Sequence, residues 1–184
     1  MPASKRAILP LVFTMAVTLV ASSSLASGPR ALPLVAGAAH GAVVYSVDWC
    51  PIASYLAIGS DYSTGGFEVR MLSFDGATLG TLPSANFSPG HDVNSVSWRP
   101  DGSFLAIAGD AGPWDPEISI FTFDEDLQAL SINDVASHGA SVNTVAWTQD
   151  GMNLATGGET AAGLEVKVWD TGTIPVELSF FMID

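Results

Sequence analysis

Three histidines, one cysteine and three evenly placed glutamates are the residues of this 184-residue chain that could do chemistry, and their spacing argues against most of it. His40, His91 and His138 lie far apart, and no two of them have the short separation that a metal site on one hairpin or helix uses. Each stands at the same place in a repeat, which is the signature of architecture. Cys50 is the sole cysteine, so no internal disulfide can form, and its neighbours point to a buried thiol. Glu68, Glu117 and Glu165 each open a strand-like run and read as solvated positions. Were the first two to converge across one mouth, they would form the carboxylate pair that glycoside hydrolysis needs. The acidic stretch DAGPWDPE from Asp110 has oxygen ligands for calcium, but Pro113 and Pro116 break the regular calcium-loop pattern. The sequence has no phosphate-cradling glycine loop, nucleophile elbow or zinc-binding helix motif. The expectation is a non-enzymatic chain with no catalytic residue, no metal site and no cofactor.

The elements that must carry these residues are set by a repeat. Trp49, Trp98 and Trp147 stand 49 residues apart, and around each runs the same series: a His, an alternating strand ending in Trp, a turn, and a strand ending in Gly. The series reads HGAVVYSVDWCPIASYLAIG, HDVNSVSWRPDGSFLAIAG and HGASVNTVAWTQDGMNLATGG, followed by EVRMLSFD, EISIFTFD and EVKVWD. Val47 and Trp49, Val96 and Trp98, and Val145 and Trp147 share a face, the period of a half-buried strand. Asp101-Gly102 and Asp150-Gly151 give the signature of a two-residue hairpin turn, since glycine accepts positive φ. Second strands are expected at 105–108 and 154–156, third strands at 118–123 and 166–169, and fourth strands within 77–82, 127–132 and 176–182. No stretch holds a sustained apolar period near 3.6, so little helix is expected.

Four antiparallel strands in a period of 40 to 50 residues is the sequence signature of a propeller blade. His138-Gly139, Asp150-Gly151, Leu154-Ala155-Thr156-Gly157 and Trp169-Asp170 also resemble the GH, DG, LASG and WD frame of the WD-repeat β-propellers, and the likeness runs over 40–184. The resemblance implies an all-β fold, a partial β-propeller of three four-stranded antiparallel blades at 40–86, 87–134 and 135–184, after a lead-in strand at 27–39. It also implies a buried hydrogen-bond chain in the third blade through His138, Thr156 and Trp169, beside Asp170. No Asp stands between Gly158 and Glu165, so Glu159 is the only acid there that could substitute for the usual Asp. In the first two repeats Ile58 and Ile107 replace the Thr, and Leu72 and Phe121 replace the Trp. Apolar packing is expected there, with some other partner, or water, for His40 and His91.

Ahead of the repeats, Lys5 and Arg6, an uncharged apolar run at 7–21 and Ser24-Leu25-Ala26 form the pattern of a signal peptide cleaved after Ala26. The run is shorter than the roughly 20 residues of a membrane-spanning helix. An uncleaved anchor is the alternative. A secreted or periplasmic location follows, with no membrane association after cleavage.

The formal net charge is -13, with 19 carboxylates, and the segment to be removed holds two of the six strong bases. Nucleic acid is excluded as a partner, because its affinity rests on Lys and Arg neutralising phosphates. The turns between second and third strands, SDYSTGG, GDAGPWDP and GETAAG, are longer than tight turns, and in related propellers this end is where partners bind. Asp61, Tyr62, Asp110, Trp114, Asp115 and Glu159 are the candidate partner-binding residues, aromatics set among acids. Three blades fall short of the four to eight that close a propeller. The chain is therefore expected to bind a protein partner as an interaction module, and either a homodimer or another partial propeller could close the ring. The alternative function is a fragment of a secreted propeller that binds or hydrolyses a small ligand or sugar.

Overall fold

The computed structural model describes residues 31–62, 66–112 and 116–172, and in them every regular element is a strand. The first sheet holds β1 (Val44–Trp49), β2 (Tyr55–Ser60), β3 (Val69–Phe74) and β4 (Leu79–Phe87), paired in that order. The second repeats it with β5 (Val93–Trp98), β6 (Phe104–Gly109), β7 (Ile118–Asp124) and β8 (Ala129–Ala136). The third holds β9 (Val142–Trp147), β10 (Asn153–Ala161) and β11 (Leu164–Asp170). All pairings are antiparallel between sequence neighbours. The expected fourth strand at 176–182, like the expected signal peptide at 1–26, lies outside the described residues.

The sheets stack face to face, and the alternation of the first strands decides what lies between them. One core joins Ala57, Val69 and Met71 of the first sheet to Val96, Trp98, Leu105, Ile107 and Phe121 of the second. The other joins Ala106, Ala108, Ile118 and Ile120 of the second sheet to Val142, Val145 and Leu154 of the third. Strand β6 is buried at all six positions because it has a sheet on either side, which is why its sequence is a continuous apolar run. Aromatic edges close the first core, with Tyr55 on Phe123 at 4.9 Å and Phe87 on Phe121 at 4.9 Å.

Hydrogen bonds between sheets repeat with the sequence. The Val96 N–H donates to the Ser46 hydroxyl at 3.1 Å, and 49 residues on, the Val145 N–H donates to the Ser95 hydroxyl at 3.1 Å. The Trp98 N–H reaches Asp48 Oδ2 at 2.7 Å, and the Trp147 indole reaches the Ser97 carbonyl at 3.0 Å. A first strand is thus bonded by its backbone to its own sheet and, one edge on, to the sheet before it.

Three local expectations need correction. The Asp-Gly pairs do make turns, but four-residue ones: Arg99 N–H bonds Phe104 O, and Gly102 N–H bonds Arg99 O, each at 2.8 Å. Gly102, at φ 73°, takes the left-handed position, while Asp101 Oδ1 accepts from the Ser103 N–H at 3.0 Å. In the third sheet, the stretch read as a long loop from Gly158 is strand up to Ala161, closed by a two-residue turn in which Ala162 and Gly163 have φ 55° and 80°. Residues 31–39 form no strand, and residues 27–30 of the expected lead-in strand lie outside the described residues.

Candidate protein-interaction face

The loops joining second to third strands meet the segments that lead into first strands, and backbone bonds fix that meeting once per sheet. Asp61 N–H donates to Val43 O, Asp110 N–H to Asp92 O, and Glu159 N–H to Ser141 O, at 2.9, 3.0 and 2.8 Å. Side chains then tie each loop to the next sheet. The Tyr62 N–H donates to Asp92 Oδ1 at 2.8 Å, and the Ala111 N–H to the Ser141 hydroxyl at 3.4 Å. Asn94 Nδ2 bridges Asp110 Oδ1 at 3.0 Å and the Val142 carbonyl at 3.1 Å.

Asp92 is close enough to act on Asp61, and Asp61, Asp92 and Asp110 all act on Tyr45. Loss of hydration raises the Asp61 carboxyl, and Asp92 raises it further by its charge and by a shared hydrogen bond; the Tyr62 N–H opposes this. Tyr45 is raised by loss of hydration, then by Asp61, Asp92 and Asp110. Tyr45 and Tyr62 are exposed beside these carboxylates. Of the residues singled out in the sequence, Asp61, Tyr62 and Asp110 stand on this face. Glu159 lies within strand β10, with its side chain exposed. Trp114 and Asp115 lie outside the described residues. Tyr45, Asp92 and Asn94 belong to the face and were missed, because they sit before or inside first strands, where alternation marks only the faces of the sheet. The polar residue three places after His91 and His138, Asn94 and Ser141, was a signal that could have found Asn94; nothing in the repeat marked Asp92.

Beneath this end lies the hydrogen-bond chain of the third sheet. The Trp169 indole donates to the Thr156 hydroxyl at 3.0 Å, and that oxygen lies 3.3 Å from His138 Nδ1. His138 Nε2 lies 3.2 Å from the Glu159 carbonyl. A carbonyl only accepts, so Nε2 carries the proton and Nδ1 takes the Thr156 hydroxyl proton. The chain ends on the backbone of Glu159, and the carboxylate has no part in it. Asp170 caps the strand end, accepting the Gly172 N–H at 2.9 Å. In the first two sheets Ile58, Ile107, Leu72 and Phe121 are buried in place of the chain, and His91 Nδ1 bonds the Asp92 carbonyl at 3.1 Å. Burial lowers the pKa of His40, Arg70 lowers it further, and Glu68 opposes both.

Two of the three glutamates overturn their reading as solvated positions. Glu68 and Glu117 are buried, while Glu165 is exposed and accepts the Thr160 hydroxyl at 2.6 Å. Glu68 Oε2 accepts the Ser88 hydroxyl at 2.6 Å, and Glu117 Oε2 accepts the His138 N–H at 3.0 Å. Burial pushes the Glu117 carboxyl up. Hydrogen bonds from its own N–H, the Ser137 hydroxyl and the N–H groups of Gly139 and His138 outweigh that and hold it below the ordinary glutamate value. Each of the two glutamates reaches into the turn that starts the following repeat. The sequence hid this because a strand-opening glutamate looks the same whether it faces water or a neighbouring turn.

Stacked antiparallel sheets, joined in sequence and bonded at equivalent positions, define a partial β-propeller. The family model described as WD domain, G-beta repeat matches residues 80–121 and 130–170. Residues 80–121 and 130–170 are thus WD repeats, and the fold is that of a partial WD-repeat propeller. Among solved structures it is similar to a chain of the crystal structure of the mitotic checkpoint complex, at 23% identity and TM-score 0.54, covering 71% of this chain and 38% of that one. It is also similar to Saccharomyces cerevisiae Sqt1, at 13% identity and TM-score 0.51, covering 64% of this chain and 30% of that one. The chain thus matches well under half the length of either. No curated protein sequence matches it.

Proposed function

We propose that this chain is an exported, non-catalytic interaction module that holds a protein partner on the face built by Asp61, Tyr62, Asp92, Asp110 and Tyr45. The WD-repeat fold is commonly a protein-interaction module, and the observation that carries the finer reading is the clustering of three carboxylates from two sheets around exposed tyrosines. Aromatic anchors give contact area, and the acids select a basic surface and speed encounter. Export is inferred from the composition of 1–26. The reading as a ligand-binding or glycoside-hydrolysing propeller is disfavoured, because Glu68 and Glu117 are each engaged with their own neighbouring turn.

The test is quantitative co-purification from the native host, comparing the wild type with the triple variant Asp61→Asn, Tyr62→Ala, Asp110→Asn. A partner lost from the variant, and bound more weakly as salt rises, is the expected result. The same partners at the same recovery from both would sink the assignment of this face.

A further inference from the structure

The described end sheets each present one face that the middle of the molecule buries, and the two faces are matching halves of one interface. The front of the first sheet carries Val47 and Trp49, which are 56% and 47% exposed, whereas Val96 and Trp98, 49 residues on, are each 5% exposed against the sheet before them. The back of the third sheet carries Val166 and Val168, each 67% exposed. Their counterparts Ile118 and Ile120 are 1% and 8% exposed under the third sheet.

The correspondence extends to the polar atoms. Ser46 and Ser95 each accept an N–H from the following sheet, and Thr144 holds the same place in β9, exposed. The donor that would answer it is the Val47 N–H, the counterpart of Val96 and Val145. Likewise the Ala146 carbonyl corresponds to the Ser97 carbonyl, which takes the indole of Trp147; its counterpart donor is the indole of Trp49.

We propose that two copies of this chain associate head to tail, the back of the third sheet of one (Thr144, Ala146, Val166, Val168) receiving the front of the first sheet of the other (Val47, Trp49). The interface continues one that the protein forms twice internally: the Val96-to-Ser46 bond recurs as Val145-to-Ser95, whereas the indole-to-carbonyl bond is made by Trp147 and not by Trp98. Because the two surfaces differ, the contact is heterologous, and a pair closes when both copies use both faces. Two chains then bring six sheets together, within the four to eight that close a propeller. The proposal goes beyond the acidic loop face and does not use its residues.

Light scattering coupled to size exclusion on the purified chain reads the result directly. The wild type is expected at twice the chain mass, with the population of the pair growing as salt screens the repulsion between two copies of net charge -13. That is the opposite of the salt response expected for a basic partner on the loop face, so failure of one proposal is separable from failure of the other. Val47→Asp and Val168→Asp each place a carboxylate in the contact and are expected to weaken the pair at least about a hundredfold, leaving monomers. Mixing the two variants restores a 1:1 complex, since one intact front then meets one intact back. Hydrogen exchange at the Val47 amide of the wild type, slower at high protein concentration than at low, gives a second reading that needs no variant. A wild-type monomer at about 100 μM, a polydisperse aggregate, an oligomer indifferent to both aspartates, or a mixture that stays monomeric would each overturn the proposal.

Discussion

Replacing Glu117 tests whether a buried carboxylate really clasps the next repeat. In Glu117→Ala the His138 N–H, on a residue only 1% exposed, loses its acceptor, while Ser137 and Gly139 are exposed enough to turn to water. A hydrogen bond to a charged group contributes about 1.5–3 kcal/mol, and an unsatisfied buried donor costs about 1–3 kcal/mol. Counting one buried donor in full and the two exposed ones lightly gives about 3 kcal/mol of lost stability, or roughly 6–12 °C in Tm for a chain of this size. Glu117→Gln keeps one acceptor oxygen and should lose about 1 kcal/mol. The carboxyl is held below its ordinary value of 4.5, so its contribution is present above that pH and disappears as pH falls through the folded value. The gap between wild type and Glu117→Gln should therefore close as pH falls through the folded value. Urea unfolding followed by tryptophan fluorescence, repeated from pH 3 to 7, measures both effects. An alanine variant within about 0.5 kcal/mol of wild type, or a glutamine gap that widens in acid, would refute the clasp.

Thr156→Val preserves shape but leaves His138 Nδ1 and the Trp169 indole without their shared partner, and a loss of about 1–3 kcal/mol is expected in a denaturant titration. Gly109→Ala would drive a methyl group into the Asp92 carbonyl, which already accepts the Asp110 N–H. A cost of about 2 kcal/mol and faster amide exchange at Asp110 should follow, and unchanged exchange would show that the loop yields. For Asp61 the folded carboxyl is raised, so its ionised form works against folding above that pKa and the penalty is relieved as pH falls through it. Asp61→Asn should accordingly leave stability at pH 7 equal or higher, and a clear fall in the urea midpoint would contradict the carboxylate crowding.

The sequence showed the period, the all-β class and the face-sharing of Val96 with Trp98, because burial on one side of a strand writes itself in every second residue. It showed less wherever a residue's partner lies in another repeat. Glu117 could not be placed from its own neighbours, since its acceptor role depends on a turn about twenty residues later. The register of β10 was hidden for a similar reason: Gly158 to Gly163 holds turn-forming residues, and only pairing with β11 draws Glu159 to Ala161 into a strand. His138 was legible as architecture, but the end of its chain on a carbonyl was not, because any residue supplies that atom.

The bonds from Val96 to Ser46 and from Val145 to Ser95 couple each sheet only to the one before it. Cooperativity in such an array passes along neighbours, and a unit with two neighbours opens less often than a unit with one. In the single chain, slowest hydrogen exchange is thus placed in β6, and opening begins at the outer sheets. Loosening in one outer sheet need not travel to the other while the middle one holds, so binding at one end of the array can proceed without unfolding the far end.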